Sequence, residues 1–307
     1  MALSFAYLGP RGTFSEAAIS ALEIAQGANH IPAESVPAAL ELVRSGQVDG
    51  ALVPIENSVE GGVPTTLDGL SHGQHLEIVA EISIPVEFSI LVKPGTQLSD
   101  ISRVATHPHA QAQCVDWLAK NLPGVHVLPA MSTAHAASEL ANGANYDAAI
   151  CARVAADHYG LEILADNIGD SEAAWTRFVL VRTPGHAQKS TGNDKTTVSL
   201  FIHQNHAGAL QEILTEFTVR GIDLTRLESR PTKQQLGEYF FSLDFEGHID
   251  DERVGEALKG LHRICADVLF LGSYPRHAGQ TTELKAGSSN AEFIEADDWL
   301  AKVRRRV

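Results

Sequence analysis

The sequence predicts an α/β protein: two α/β lobes forming a hinged clamshell, followed by a ferredoxin-like βαββαβ domain. Three observations predict it. Short apolar, β-branched runs alternate with helix-period segments from Phe5 to about Cys151, the pattern of a largely parallel sheet. The extended stretch Glu81 to Val92 is long enough to pass from one lobe to the other, and the chain returns through Thr176-Arg177-Phe178. Beyond the polar linker Gly185 to Asp194 the order changes to strand, helix, strand, strand, helix, strand.

Taken in order, Phe5 to Leu8 reads as a strand and Gly9-Pro10-Arg11-Gly12 as a turn. Thr13 or Ser15 then caps a helix whose apolar residues run from Ala17 to Ile24. Glu34-Ser35-Val36 leads into a helix over Pro37 to Ser45, with Pro37 in its first turn and Gly46 as its stop. Gly50 to Ile55 is a buried strand that runs into Glu56-Asn57-Ser58-Val59-Glu60-Gly61-Gly62. The second lobe offers a strand at Arg103 to Thr106, one helix from His109 to Asn121, and a strand at Val125 to Leu128. A helix at Thr133 to Asn142 and a strand at Ala148 to Cys151 complete it. Phe178 to Val181, short and β-branched and closed by Thr183-Pro184-Gly185, is a buried strand that begins just after Thr176 and Arg177.

In the third part, strands at Lys195 to His203, Ile222 to Ser229, Glu238 to Phe245 and Val268 to Gly272 alternate with helices at Gly208 to Arg220 and Asp251 to Ala266. Pro275 to Asn290 reads as flexible and Ala291 to Arg306 as an amphipathic terminal helix. Two α/β lobes with two crossings are an arrangement of the periplasmic-binding-protein-like kind, in which ligands sit beyond the carboxyl ends of the strands.

Composition narrows the function. The chain has 307 residues and a formal net charge of -15, which argues against nucleic acid and against a membrane surface as partners. Cys114, Cys151 and Cys265 are odd in number and far apart, which fits a reducing, cytoplasmic setting better than a disulfide framework. The first residues lack a basic n-region, so they read as a strand rather than a signal peptide, and no apolar run is long enough to cross a bilayer.

Three stretches follow predicted strands and open helices or turns: Gly9 to Ser15, Glu56 to Gly62, and Ser132-Thr133-Ala134-His135. Free N–H groups at such places suit carboxylates, and glycines admit a ligand close to the backbone; ordinary capping accounts for any one of them equally well. Thr176 and Arg177 stand where a buried strand begins, so they are satisfied internally or face a cleft. Arg177 either contacts an anion or pairs with a carboxylate such as Asp170; Glu56 either caps Ser58 or Val59 or serves as an acid. His107-Pro108-His109 has no third ligand at metal spacing, so no metal site is assigned. In the third part, Asn205 to Leu210 opens a helix and Leu227-Glu228-Ser229-Arg230-Pro231 ends a strand, either as an effector site or as a plain dimerising domain with a protected edge.

Tyr7-Leu8-Gly9-Pro10-x-Gly12-Thr13-Phe14-Ser15-Glu16-Ala17-Ala18 resembles the opening of the prephenate dehydratases. So do Val53-Pro54-Ile55-Glu56-Asn57-Ser58, His107-Pro108 with Gln113-Cys114, and Thr176-Arg177-Phe178. Gly208-Ala209-Leu210 and Glu228-Ser229-Arg230-Pro231 resemble the two ligand motifs of that family's regulatory ACT domain, and the likeness runs in order from about residue 4 to 273. The sequence departs from the family at Ala173-Ala174, where an asparagine is usual before the Thr-Arg-Phe triplet.

The resemblance implies a catalytic domain over 1–185, with lobe 1 about 1–80 and 166–185 and lobe 2 about 82–165. An ACT domain over 195–275 and a tail over 276–307 follow, with no chorismate mutase segment ahead of Met1. It implies conversion of prephenate to phenylpyruvate, carbon dioxide and water, without metal or organic cofactor, in phenylalanine biosynthesis. By resemblance Thr176 assists the departing hydroxyl, and Thr13, Ser15, Glu56, Asn57, Ser58, Thr133, Arg177 and Phe178 surround the substrate. L-Phenylalanine is the implied inhibitor, held where two chains meet by Asn205, Gly208, Ala209, Leu210, Leu227, Glu228 and Ser229, so a homodimer or homotetramer is expected. Two other functions fit the same layout: an arogenate dehydratase, and a clamshell that senses a carboxylate or amino acid without reacting.

Overall fold

Gly50-Ala51-Leu52-Val53 has no exposed apolar side chain, which is what a strand covered on both faces requires. The computed structural model describes residues 2–171, 173–203, 206–233, 238–277 and 286–305. By internal contacts the chain divides into residues 1–66 with 82–178, and residues 67–81 with 179–307.

The first unit opens with β1 (Ser4–Leu8), α1 (Phe14–Ala21), β2 (Asn29–Ala33), α2 (Val36–Arg44), β3 (Gly50–Asn57) and the short β4 (Gly61–Gly62). Helix α3 (Pro64–Ser71) and strand β5 (Glu77–Pro85) carry the chain through the unit boundaries. Then come β6 (Phe88–Val92), β7 (Arg103–Thr106), α4 (Pro108–Ala112), α5 (Val115–Asn121), β8 (His126–Pro129) and α6 (Thr133–Ala141). Strand β9 (Ala148–Ala152), α7 (Val154–Tyr159), β10 (Glu162–Ala165) and β11 (Trp175–Arg182) follow. The first sheet has the order β2-β1-β3-β11-β5 with β4 on β3, and the second the order β10-β6-β9-β7-β8. Both are mixed rather than wholly parallel: β1 pairs in parallel with β2 and β3 but β4 runs antiparallel to β3, and β7 pairs in parallel with β8 and β9 but β6 runs antiparallel to β9 and β10. Apolar residues pack both faces of the second sheet, Ile90, Val92 and Val104 on one side, Leu91, Ala105 and Leu140 on the other.

Several expected elements are corrected. The stretch Glu81 to Val92 is two strands in different sheets, broken at Val86-Glu87, with Val86 N–H donating to Ala174 O at 2.8 Å. The single helix expected over His109 to Asn121 is two, because Asp170 accepts the Asp116 and Trp117 N–H groups, both at 3.2 Å, and starts a new helix there. The first helix ends at Ala21, and Ile24 lies in a short 3-10 turn. Strand β2, helices α3 and α7 and strand β10 had no sequence signal. Strand β11 begins at Trp175, so Thr176 and Arg177 lie inside it rather than before it.

The second unit adds β12 (Asp194–Phe201), α8 (Ala209–Thr218), β13 (Leu224–Pro231), β14 (Tyr239–Glu246), α9 (Glu252–Ile264), β15 (Asp267–Pro275) and α10 (Asn290–Arg304). This is the βαββαβ order, with an antiparallel sheet β13-β14-β12-β15. Its helix-side core is Val198, Leu200, Ile213, Phe217, Leu243 and Phe245 with neighbours on α9. The other face is polar and buried. Asp244 accepts from Arg226 at 2.8 and 3.0 Å and from Thr197 at 2.8 Å. Segment 67–81 packs in the same unit: Glu81 takes Lys195 at 2.9 Å, and Ser71 meets Ser199 at 2.8 Å. Gly272, at φ +131°, lets the Ile78 carbonyl approach so closely that a Cβ there would lie 2.3 Å from its oxygen. The terminal helix forms, but Ile294, Trp299 and Leu300 are exposed rather than docked. Half of the stretch expected to be flexible, residues 278–285, lies outside the described residues.

Candidate active site and effector motifs

Neighbouring residues in a strand point to opposite faces of its sheet. Strand β3 ends Glu56-Asn57 and β11 begins Trp175-Thr176-Arg177. The two ends meet in two layers. On one face Asn57 Nδ2 donates to Thr176 Oγ1 at 2.9 Å. On the other face Arg177 Nη1 lies 3.4 Å from Glu56 Oε2. Arg177 and Glu56 therefore lie on the opposite face of the sheet from the Thr176 hydroxyl. Arg177 pairs with Glu56, while Asp170 caps α5.

Asn57 organises the loop that follows it. Its Oδ1 accepts the Val59 N–H at 2.8 Å and the Glu60 N–H at 3.1 Å, the capping role expected of Glu56. With its oxygen engaged by two donors, the amide nitrogen is left facing Thr176. Ser58 ties the loop to the approach of β11: Oγ donates to Ala173 O at 3.0 Å and accepts the Trp175 N–H at 2.9 Å, while Ser58 N–H donates to Trp175 O. Backbone groups of Ala173 and Trp175 do this tying, so the loop is held although the family asparagine is absent. Thr176 is 9 % exposed, and among the described residues its hydroxyl accepts one hydrogen bond and donates none, which leaves its proton to give.

The Gly9–Glu16 turn is braced across to α7. Thr13 donates to Pro10 O at 3.1 Å and accepts the Glu16 N–H at 3.3 Å, so its hydroxyl is a helix cap. Buried Glu16 accepts from Gly12 N–H at 2.6 Å and Tyr7 Oη at 3.1 Å, and His158 Nε2 lies 2.8 Å away. Burial, with Glu16 beside it, pushes the Tyr7 phenol above its ordinary range. Gly12, at φ +83°, sits where a Cβ would meet Ala155 at 3.0 Å, and Tyr159 Oη donates to Arg11 O at 2.8 Å. Across the same two lobes, His109 Nδ1 meets Glu60 Oε1 at 2.6 Å. Ser132, not Thr133, caps α6 by accepting the His135 N–H at 3.0 Å; Thr133 is its first helical residue.

Two of the residues expected around the substrate are buried in this structure. Phe178 is 2 % exposed and belongs to the core, and Ser15 is 5 % exposed on α1. Gln113, in the His107 to Cys114 stretch, has no expected role: its Nε2 donates to His109 O at 3.2 Å, and its buried Oε1 has no hydrogen-bond partner among the described residues. A buried amide oxygen without a donor is a signal that only coordinates give. The three cysteines are buried and free, and burial pushes the Cys114 thiol up to about 12. Among the described residues, no three His, Cys, Asp or Glu side chains are placed to hold a metal ion.

In the second unit Gly208, at φ +98°, is the N-cap of α8, and Asn205 lies outside the described residues. Ala209 lines a cavity of about 240 Å³ with His203, His206, Glu212, Ile264 and Cys265. Leu227, Glu228 and Ser229 are on the edge strand β13 and do not line it. Strand alternation puts Leu227 and Ser229 on one face and Glu228 on the other, with Arg226 and Arg230.

Comparison with known proteins accounts for both units. The prephenate dehydratase family model matches residues 5–186 and the ACT domain model residues 196–263. A prephenate dehydratase of Mycobacterium tuberculosis is 48 % identical over 307 residues, covering 97 % of this chain and 93 % of its own. One from Amycolatopsis methanolica is 46 % identical over 301 residues, covering 98 % and 97 %. The crystal structure of the Arthrobacter aurescens prephenate dehydratase in complex with L-Phe superposes with a TM-score of 0.93 at 48 % identity, over 99 % of this chain and all of that one. The chain belongs to the prephenate dehydratase family and is an enzyme with a C-terminal ACT domain.

Proposed function

We propose that the chain decarboxylates and dehydrates prephenate to phenylpyruvate at the Thr176–Asn57 face of the first sheet, as a step toward L-phenylalanine. The observation that carries this is the 2.9 Å bond from Asn57 Nδ2 to Thr176 Oγ1. That bond occupies one lone pair of the oxygen and leaves the hydroxyl proton to donate. In the reaction the bond from the ring to its carboxylate breaks, and its electron pair enters the ring. The bond from the ring to its hydroxyl then breaks, and that oxygen takes one proton to leave as water. A donor aimed at the departing oxygen stabilises charge that exists only in the transition state, and one such donor is worth about 3–4 kcal/mol. Arg177, paired with Glu56 on the opposite face, is a structural ion pair in this reading. No step requires a metal or an organic cofactor.

The ACT domain makes L-phenylalanine the effector, supported by the L-Phe complex of the Arthrobacter aurescens relative. Among the described residues, the cavity that Ala209 lines does not include Leu227 to Ser229. A second copy facing the first would bring them together, which makes a dimer the smallest regulated form. No helix among the described residues is long and apolar enough to cross a membrane, and the reduced cysteines suit a cytoplasmic enzyme.

The purified chain is expected to form phenylpyruvate from prephenate, faster than it consumes arogenate, and to slow when L-phenylalanine is added. Phenylpyruvate absorbance with each substrate in turn reads this. Binding of prephenate without product would leave a sensing clamshell instead, and preference for arogenate would move the activity to the aminated substrate.

A further inference from the structure

Helix α3 is gripped by the regulatory sheet at several points. Arg230 makes a two-pronged contact with Asp68 on α3, Nε to Oδ1 at 3.1 Å and Nη2 to Oδ2 at 3.2 Å. Lys233 adds a third bond to the same carboxylate at 2.6 Å. One turn on, Ser71 Oγ meets Ser199 Oγ, and the His72 ring stands edge-on to Phe201 and Phe240. Asp68 and Arg230 are 14 % and 19 % exposed, so the fork is largely screened from water. Burial alone would raise the Asp68 carboxyl; the bonds from Arg230 and Lys233 overcome this and hold it below its ordinary range.

The two ends of this contact are what give it meaning. Arg230 directly follows Leu227-Glu228-Ser229 on an edge strand, so a ligand that shifts those residues shifts the guanidinium with them. Asp68 is two residues from Thr66 on the same helix. Thr66 is fully buried and donates to Pro54 O at 2.5 Å, on the strand that ends in Glu56-Asn57. A fork, two residues of helix, one hydrogen bond and three residues of strand thus lead from the effector motif to Asn57, which bonds the Thr176 hydroxyl.

We propose that the Arg230–Asp68 fork is the coupling contact through which occupancy of Leu227–Ser229 changes turnover at Asn57 and Thr176. The proposal rests on the regulatory reading above and names its route. An effector alters the reaction only through a contact whose free energy differs between the two states, and a planar bidentate pair is sensitive to small shifts of its strand.

The test uses the full chain carrying Asp68→Asn, which removes the charge and keeps the shape. Phenylpyruvate formation is titrated with L-phenylalanine, and L-phenylalanine binding is measured by calorimetry. D68N is expected to keep turnover without effector within about twofold. It is expected to need at least tenfold more L-phenylalanine for half inhibition, or to stay partly active at saturation, a loss within the usual range of coupling factors of about 5–150-fold. Calorimetry should still detect binding. Asp68→Glu should restore sensitivity, and Thr66→Val, which breaks the next link, should lose it. If D68N melts early, the D68E and T66V titrations decide the matter. D68N as sensitive as the parent overturns the inference alone, and so does D68N that folds but has lost turnover or L-phenylalanine binding altogether. A parent indifferent to L-phenylalanine overturns the regulatory reading, and this inference with it.

Discussion

Thr176→Ala is expected to lower kcat by about 10²–10³-fold while KM stays near the parental value, because the donor is needed only where charge develops on the leaving oxygen. Thr176→Ser, which keeps the hydroxyl and the strand, should remain within about tenfold of the parent. The fold should survive both changes, since among the described residues the one side-chain hydrogen bond at Thr176 is the one from Asn57. Initial rates of phenylpyruvate formation, with a melting curve for each variant, measure this. An Ala variant with parental kcat would remove Thr176 from the reaction.

Asp244→Ala should give the largest loss of stability in the molecule. Asp244 is fully buried and accepts from Arg226 Nε at 3.0 Å, Arg226 Nη2 at 2.8 Å and Thr197 Oγ1 at 2.8 Å. Thr197 in turn meets Tyr274 Oη at 2.7 Å, so the network ties three strands to β15. Removing the carboxylate takes the two-pronged Asp244 contact from a guanidinium that is 3 % exposed, which costs about 3–5 kcal/mol. Replacing both members, Arg226→Met with Asp244→Leu, should recover much of that, because no buried charge then lacks a partner. Urea unfolding followed by far-UV dichroism reads the difference. A loss under about 1 kcal/mol for D244A would mean that water reaches the pair and screens it.

How much of this the sequence carries depends on how local the cause is. The second unit reads well because each element has its own signal: period-2 strands at β12 and β14, a glycine ahead of α8, and a 13-residue amphipathic α9. Strand β2 does not, because Asn29-His30-Ile31-Pro32-Ala33 has only one buried residue and is a strand solely through its parallel pairing with β1. The break between α4 and α5 is equally hidden, since Asp170, which causes it, is 54 residues from Asp116. At the site, spacing alone offered caps and strand ends, and the resemblance singled out Thr176. The Asn57–Thr176 bond spans 119 residues, beyond any local pattern. The separation of Arg177 from Thr176 was within reach, because adjacent residues of one strand cannot share a face once the strand is known to begin at Trp175.

The account depends on Asn57 and Thr176 acting as one unit, and a double-mutant cycle on kcat/KM tests that most directly. Asn57→Ala, Thr176→Ala and the double variant are measured with prephenate under one set of conditions. The bond predicts that the double variant loses little more than the worse single variant, a coupling of about 1–3 kcal/mol. Costs that simply add would show that the two side chains act separately, and the bond would then have no part in catalysis.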